Sequence, residues 1–463
     1  MNIAQKDAVS PSQQKFYKAA WRWHFYAGLY VIPFFIILAL TGMTMSWISY
    51  IDGRDGERTT VPVQEHILPV SQQAQAALKA VGDGVLKQYV APRSENLASI
   101  FRVDKDGVAT MVVVDPYNAT VMEQFPRRSG WYDLADNIHS DLLLGVTGDR
   151  MLEIAASLGV ILLITGLYMW WPRDTGWKTA LLPTFGKGSR TTWKSLHGSL
   201  GIWISIIFLF FLISGLSWTG VWGAQLVQAW NSFPAEKWDN VPLSDVTHAS
   251  MNHGPKEVPW NLELTPMPAS GSSAGKNGLA QGLAINVDTM DQLARELGFE
   301  GRYQMNIPTK ENGVYTFSRD SMSTDSLDPT SDRTVHVDRY SGKILADIRY
   351  EDYSWFSKAM AVGIALHMGT MGLWSVMAVT LACLSVLFLC VSSIVMWWKR
   401  RPVGRFGISP PPMPKNMPLW QGAVTIALII SLAFPLAGLT LISVFVLDHI
   451  ILSRIQVLKR AFS

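Results

Sequence analysis

The chain has 463 residues, of which 49% are apolar and 19 are tryptophan, and a formal net charge of +3. Its mean hydropathy is +0.17. Apolar residues gathered into long blocks exclude an ordinary soluble domain, and the near-neutral balance of charge gives no reason to expect a nucleic-acid partner.

In chain order, residues 1–23 form a basic segment, with Lys6, Lys15, Lys18 and Arg22 against Asp7. A first apolar block over 27–47 lies in a span expected at 24–50. It is too long for a cleaved signal peptide and lacks a small-residue cleavage site, so it is expected to anchor the chain. Residues 51–138 form a first outer domain. An outer histidine segment and a second span follow at 139–172, then a basic loop at 173–192 and a third span at 193–222. A second outer domain occupies 223–361. A further histidine segment and fourth span cover 362–398, a loop rich in Lys and Arg covers 399–418, and a fifth span runs over 419–447 before the tail at 448–463. Each span approaches or exceeds the roughly 20 residues that cross a bilayer core. Short basic loops stay in the cytoplasm. The N terminus is therefore expected inside and both outer domains in the periplasm of a bacterial inner membrane. Five spans leave the tail outside although Arg454, Lys459 and Arg460 are basic, so the tail's orientation stays open.

The chain is written twice. "GLYMWWPR" (166–173) answers "SIVMWWKR" (393–400), and "WRWHFYAGLY" (21–30) answers "WKSLHGSLGIW" (193–203). "VDPYNATVM" (114–122) answers "VDRYSGKIL" (337–345), each read as strand, turn, strand. "KDGVAT" (105–110) and "ENGVYT" (311–316) carry the Asp-Gly and Asn-Gly signals of tight hairpins. Amphipathic stretches at 71–85 and 289–301 precede them. The fold class expected is an α-helical integral membrane protein: a tandem repeat of span, α+β outer domain and span that forms a four-helix bundle, plus a fifth span. The second copy carries an insert, whose stretch 266–278 reads as flexible.

Four of the nine histidines fall at repeated positions. His24 and His197 open outward spans, and His139 and His367 precede inward ones. Repeats related by an axis along the membrane normal place such residues face to face. Two imidazoles from two helices suit the axial positions of a haem iron. Gly28, Gly198 and Gly201 near the inner pair, and Gly145, Gly369 and Gly372 near the outer one, leave room for a flat macrocycle. Arg22, Arg190 and Lys194 are candidate propionate partners. No Cys-x-x-Cys-His occurs, so any haem is non-covalent. Cys383 and Cys390, seven apart in one span, cannot bridge each other. His66, His248 and His253 read as loop residues, His336 as strand packing, and His449 as a helix-end partner of Asp448.

This ordered set resembles the PepSY-associated transmembrane family, often described as iron-regulated membrane proteins, over roughly residues 15–405. Within that family it looks most like the ferrioxamine-type siderophore reductases. The resemblance implies PepSY-like outer domains, two b-type haems on His24, His197, His139 and His367, and reduction of a ferric siderophore or other ferric chelate at the outer face with release of ferrous iron. The segment "IHSDLLLG" and the insert depart from the family pattern. No nucleotide fingerprint is present, so electrons would come from quinol or a separate cytoplasmic reductase. Two alternatives stand beside this reading: a non-catalytic membrane-anchored PepSY binding or regulatory module, and a quinol-linked cytochrome b with another acceptor. Trp131, Tyr132, Arg127 and Arg128 are candidate substrate contacts.

Overall fold

The computed structural model describes residues 11–173, 176–185, 188–227, 231–252, 258–401, 410–411 and 421–447. In chain order, helix α1 is Pro11–Ile51 and α2 is Val70–Val81. Strands β1 Val85–Val90, β2 Ser99–Lys105, β3 Val108–Val114 and β4 Val121–Pro126 follow. Helices α3 Trp131–Asp141, α4 Val146–Trp170, α5 Trp177–Leu181, α6 Ser189–Leu216 and α7 Trp222–Leu226 come next. Then come β5 Leu243–Thr247, β6 Pro266–Pro268, α8 Val287–Glu296, β7 Gln304–Asn306, β8 Val314–Arg319, β9 Arg333–Asp338 and β10 Ile344–Arg349. The chain ends with α9 Trp355–Met368, α10 Leu373–Arg400, α11 Gln421–Ala433 and α12 Pro435–Leu447. These elements divide into a helical unit (1–41, 137–227 and 380–463) and a sheet unit (42–136 and 228–379).

Among the described residues, four helices are long and apolar enough to cross a membrane: Gln14–Ile51, Val146–Trp170, Ser189–Leu216 and Leu373–Arg400. In the helical unit all four feed one apolar cluster, through Val31 and Phe35 of α1, Ala155 and Leu158 of α4, Leu212 of α6 and Cys390 of α10. Gly159 makes the approach possible. A Cβ there would lie 2.7 Å from the Phe35 ring and 2.9 Å from a Leu212 methyl, so a larger residue would have to displace those two side chains. Carboxylates close one end of the bundle. Glu153, 1% exposed on α4, accepts from the backbone N–H groups of Val221 and Trp222, and Asp149 accepts from that of Gly220.

The fifth apolar block is not one helix. It forms α11 and α12, which meet at Pro435, and a Cβ on Gly438 would lie 2.9 Å from Ser431 Cα. In a straight helix residues seven apart are separated by about 10 Å, so the chain doubles back on itself. Pro435 supplies no N–H and crowds the preceding turn, and Gly438 lets the two arms touch. Each arm has 13 residues, below the length that spans a bilayer. The expected single span over 419–447 is thus corrected to a helical hairpin. The tail at 448–463 lies outside the described residues.

The sheet unit carries eight antiparallel strands in the order β10-β9-β8-β7-β1-β2-β3-β4. A helix followed by four strands occurs twice, as α2 with β1–β4 and α8 with β7–β10. The two sets join where β1 pairs with β7, Tyr89 opposite Met305. Ala74 and Ala77 of α2 and Met290 and Leu293 of α8 pack on the same core as Phe101, Val112, Phe317 and Val335. Turn chemistry explains the register. Asp106 and Gly107, both at positive φ, close the two-residue β2–β3 hairpin that the Asp-Gly signal predicts. The Asn-Gly signal at 312–313 does not close such a turn; it ends a longer loop between β7 and β8. At the matched bends, Asp115 accepts from Tyr117 N–H and Asp338 from Tyr340 N–H, each followed by a left-handed residue, Ala119 or Gly342.

The insert is built onto this sheet. Leu262, Met267 and Trp238 pack with Leu345 and Ile348, and Lys276 bridges to Ile344. The stretch 266–278 is thereby held along β10, because its backbone groups find partners there. His248, read as a loop residue, is instead fully buried against His336 of β9. His248 Nδ1 lies 2.8 Å from the Thr265 carbonyl, which can only accept, so that nitrogen carries the proton. His248 Nε2 then accepts from His336 Nε2–H at 2.8 Å, and His336 Nδ1 accepts from the Thr316 hydroxyl at 2.9 Å. His253 and His449 lie outside the described residues.

Burial holds both imidazoles of this pair below the usual histidine range, His248 at about 4. A depressed base favours the folded state above its unfolded pKa near 6.5, and that contribution is lost as pH falls through about 4. His336→Ala is expected to destabilise the sheet unit by about 2–3 kcal/mol at pH 7.5. The gap to wild type should shrink between pH 6.5 and 4. Thermal melting across that range checks it, and a constant gap would contradict it.

Candidate functional site

Of the four repeated histidines, the structure brings His24 and His197 together. His24 lies on α1 and His197 on α6, with ring centres 6.4 Å apart and ring planes at 84°. A metal–nitrogen bond of about 2 Å, with the ring centre about 1 Å behind the nitrogen, puts two imidazoles on opposite sides of one ion roughly 6 Å apart. The observed spacing matches that.

Each ring is held from behind by a hydroxyl on another helix. His24 Nδ1 lies 3.0 Å from Thr165 Oγ1 of α4, and His197 Nδ1 lies 2.8 Å from Ser392 Oγ of α10. Neither Nε2 has a partner among the described residues. Four helices therefore build one two-imidazole site. Space beside it comes from glycine. A Cβ at Gly201, one turn beyond His197, would meet nothing within 4 Å, whereas one at Gly166 would stand 3.3 Å from His24 Cε1 and push the ring. Gly28 and Gly198 instead make ordinary contacts with Leu162 and Trp170.

His139, near the end of α3, repeats the arrangement: its Nδ1 lies 2.9 Å from Thr41 Oγ1 of α1. Thr41 follows His24 by 17 residues on α1 (41 − 24), or about 25 Å of helix. The helical unit thus carries histidines at two levels, separated by nearly the thickness of a bilayer core. After His139 the chain turns through Leu142, Leu143 and Gly145, all at positive φ, into α4. A Cβ on Gly148 would sit 1.7 Å from the Asp141 carbonyl oxygen, so only glycine permits this turn. His367 belongs to the sheet unit, where α9 ends on the left-handed Gly369. Gly369 provides close packing rather than room, since its Cβ would meet Ser46 Oγ at 2.5 Å.

Other candidates resolve differently. Arg22 donates to the Pro411 carbonyl and to the Tyr26 hydroxyl. Arg128 pairs with Asp136 at 2.7 Å, and Tyr132 lies under the Arg54 guanidinium. Trp131 is 78% exposed at the start of α3, and Trp355, which sequence reasoning passed over, is equally exposed at the start of α9. Thr165, Ser392, Thr41 and Gly166 were also missed. A hydroxyl or glycine inside an apolar helix is common and carries no local signal.

Four membrane-length helices with paired histidines between them, and an α+β sheet unit built on a twice-used helix-and-four-strand set, define a multi-pass membrane protein with a PepSY-like domain. The chain belongs to the PepSY-associated TM region family, whose sequence model matches residues 21–400. No curated protein matches the chain.

Proposed function

We propose that this is a di-haem electron-transfer protein of the bacterial inner membrane that reduces a ferric siderophore, or a similar ferric chelate, on the periplasmic side and releases ferrous iron. The observation that carries the reading is the His24–His197 pair, with ring centres 6.4 Å apart and each Nδ1 held by a hydroxyl. His24 and His197 would hold one b-type haem, and His139 and His367 the other. A bound haem supplies a one-electron carrier in a medium that excludes ions. The side chains do the rest. Thr165, Ser392 and Thr41 orient the imidazoles, Gly166 and Gly201 keep space beside them, and the apolar cluster around Phe35 and Leu158 keeps water from the path. The basic N terminus and the basic loops at 173–192 and 399–418 favour a cytoplasmic location for those segments, which supports a periplasmic location for residues 51–138 and 223–361. Quinol or a cytoplasmic reductase would be the donor. The tandem helix-and-strand sets support a duplicated ancestral unit.

The test is cofactor content. Purified full-length protein is expected to show a Soret band and a pyridine haemochrome spectrum of b type, at two haems per chain. A folded preparation without a Soret band would leave the anchored, non-catalytic module as the reading.

A further inference from the structure

The hydroxyls behind the histidines do more than fill space. Thr165 Oγ1 lies 2.7 Å from the Ile161 carbonyl of its own helix and 3.2 Å from that of Leu162. Ser392 Oγ lies 3.0 Å from the Leu389 carbonyl, and Thr41 Oγ1 lies 2.7 Å from that of Ile37. A hydroxyl has one hydrogen. Given to the carbonyl, it leaves only lone pairs for the histidine. With the hydroxyl hydrogen on the carbonyl, Nδ1 of each ring carries the proton and Nε2 is left with its lone pair.

We propose that Thr165 and Ser392 are positioning residues that lock His24 and His197 as Nδ1–H tautomers and, by accepting hydrogen bonds from Nδ1–H, lower the reduction potential of the centre the two histidines hold. This rests on the haem reading above. An acceptor on Nδ1–H raises electron density at Nε2, which favours ferric over ferrous iron. Chelators that grip ferric iron tightly make it hard to reduce, so a donor to such a chelate benefits from a low potential. Both hydroxyls are buried, Thr165 at 7% exposure and Ser392 at 0%, so water does not replace them readily. Thr41 stands in the same relation to His139.

Thr165→Val keeps the shape of the side chain and removes the acceptor; Thr165→Ser keeps the hydroxyl. Full-length protein in detergent is titrated potentiometrically and followed at the haem absorption bands. In Thr165→Val one of the two midpoints is expected to move positive, by up to about tenfold in the ferric/ferrous ratio, or ~59 mV for one electron. The other should stay, and Thr165→Ser should keep both wild-type midpoints. Loss of one haem in Thr165→Val but not in Thr165→Ser would also support the hydroxyl's role. Unchanged midpoints in Thr165→Val with both haems retained would overturn the proposal while leaving the haem reading intact. So would a serine variant that behaves as the valine one. Wild-type protein without haem would remove the haem reading itself and this proposal with it.

Discussion

On the proposed di-haem reading, purified His24→Ala and His197→Ala proteins are expected to hold one haem per chain, against two expected for the wild type. Each substitution removes one of two neighbouring imidazoles and leaves its partner, still held at Nδ1 by Thr165 or Ser392, as a single ligand. Loss of a residue that merely orients a ligand already costs 10–100-fold in affinity or activity, and loss of the ligand itself costs more. Thr41 marks the level of His139 about 25 Å along α1, so the second site should survive. Reduction of a ferric chelate by dithionite-reduced variant should therefore persist, while turnover driven by the cellular donor falls on the order of 100-fold or more. His139→Ala and His367→Ala should block transfer to the chelate in both assays. If all four variants lost both haems and behaved alike in the two assays, a relay of two separable sites would be untenable.

The second large effect is on stability. Arg302 is 8% exposed in the sheet unit and sits 2.9 Å from Glu57 and 2.9 Å from Asp325, whose side chains are 2% and 0% exposed. Gln304 donates to the other oxygen of Asp325, and the Thr324 hydroxyl lies 3.1 Å from the Glu57 oxygen that Arg302 engages. Arg302→Met preserves much of the volume but strands two carboxylates in a desolvated place. Removing one partner of a buried ion pair costs about 3–5 kcal/mol, or on the order of 10 °C of melting temperature for a unit of this size. Burial already pushes the Asp325 carboxyl above its ordinary range, and loss of the guanidinium pushes it further. An acid with a raised folded-state pKa stabilises the fold below its unfolded pKa, and that contribution is lost as pH rises through the folded value. The deficit of Arg302→Met relative to wild type should thus be largest near pH 8 and shrink towards pH 5. Melting followed across this range tests it; a deficit below about 1 kcal/mol at pH 8 would mean that the cluster is hydrated or rearranges.

How far the site was legible depends on the range of the interaction that makes it. The histidines were visible because a repeat writes them twice, at 24 and 197 and at 139 and 367. Their supporting hydroxyls were not. Thr165 lies 141 residues from His24, and Ser392 lies 195 from His197. Nothing local distinguishes either from any other polar residue in an apolar helix. The His248–His336 pair escaped for the same reason: 88 residues and an insert lie between its members.

By itself the sequence determined what depends on nearest neighbours and composition. Four blocks of apolar residues must become helices in lipid, because no other open chain satisfies its own backbone there. Asp106-Gly107 must turn, because a two-residue hairpin needs positive φ at both positions. The tertiary structure alone decided the rest. It joined two four-stranded sets through β1 and β7, an edge pairing between backbones that no side-chain pattern specifies. It folded the last apolar block at Pro435 and Gly438 into two short arms, where hydropathy, blind to a close backbone approach, reads one span. It also brought together two histidines 173 residues apart, because helices distant in the chain pack side by side and hydroxyls on two further helices hold the rings.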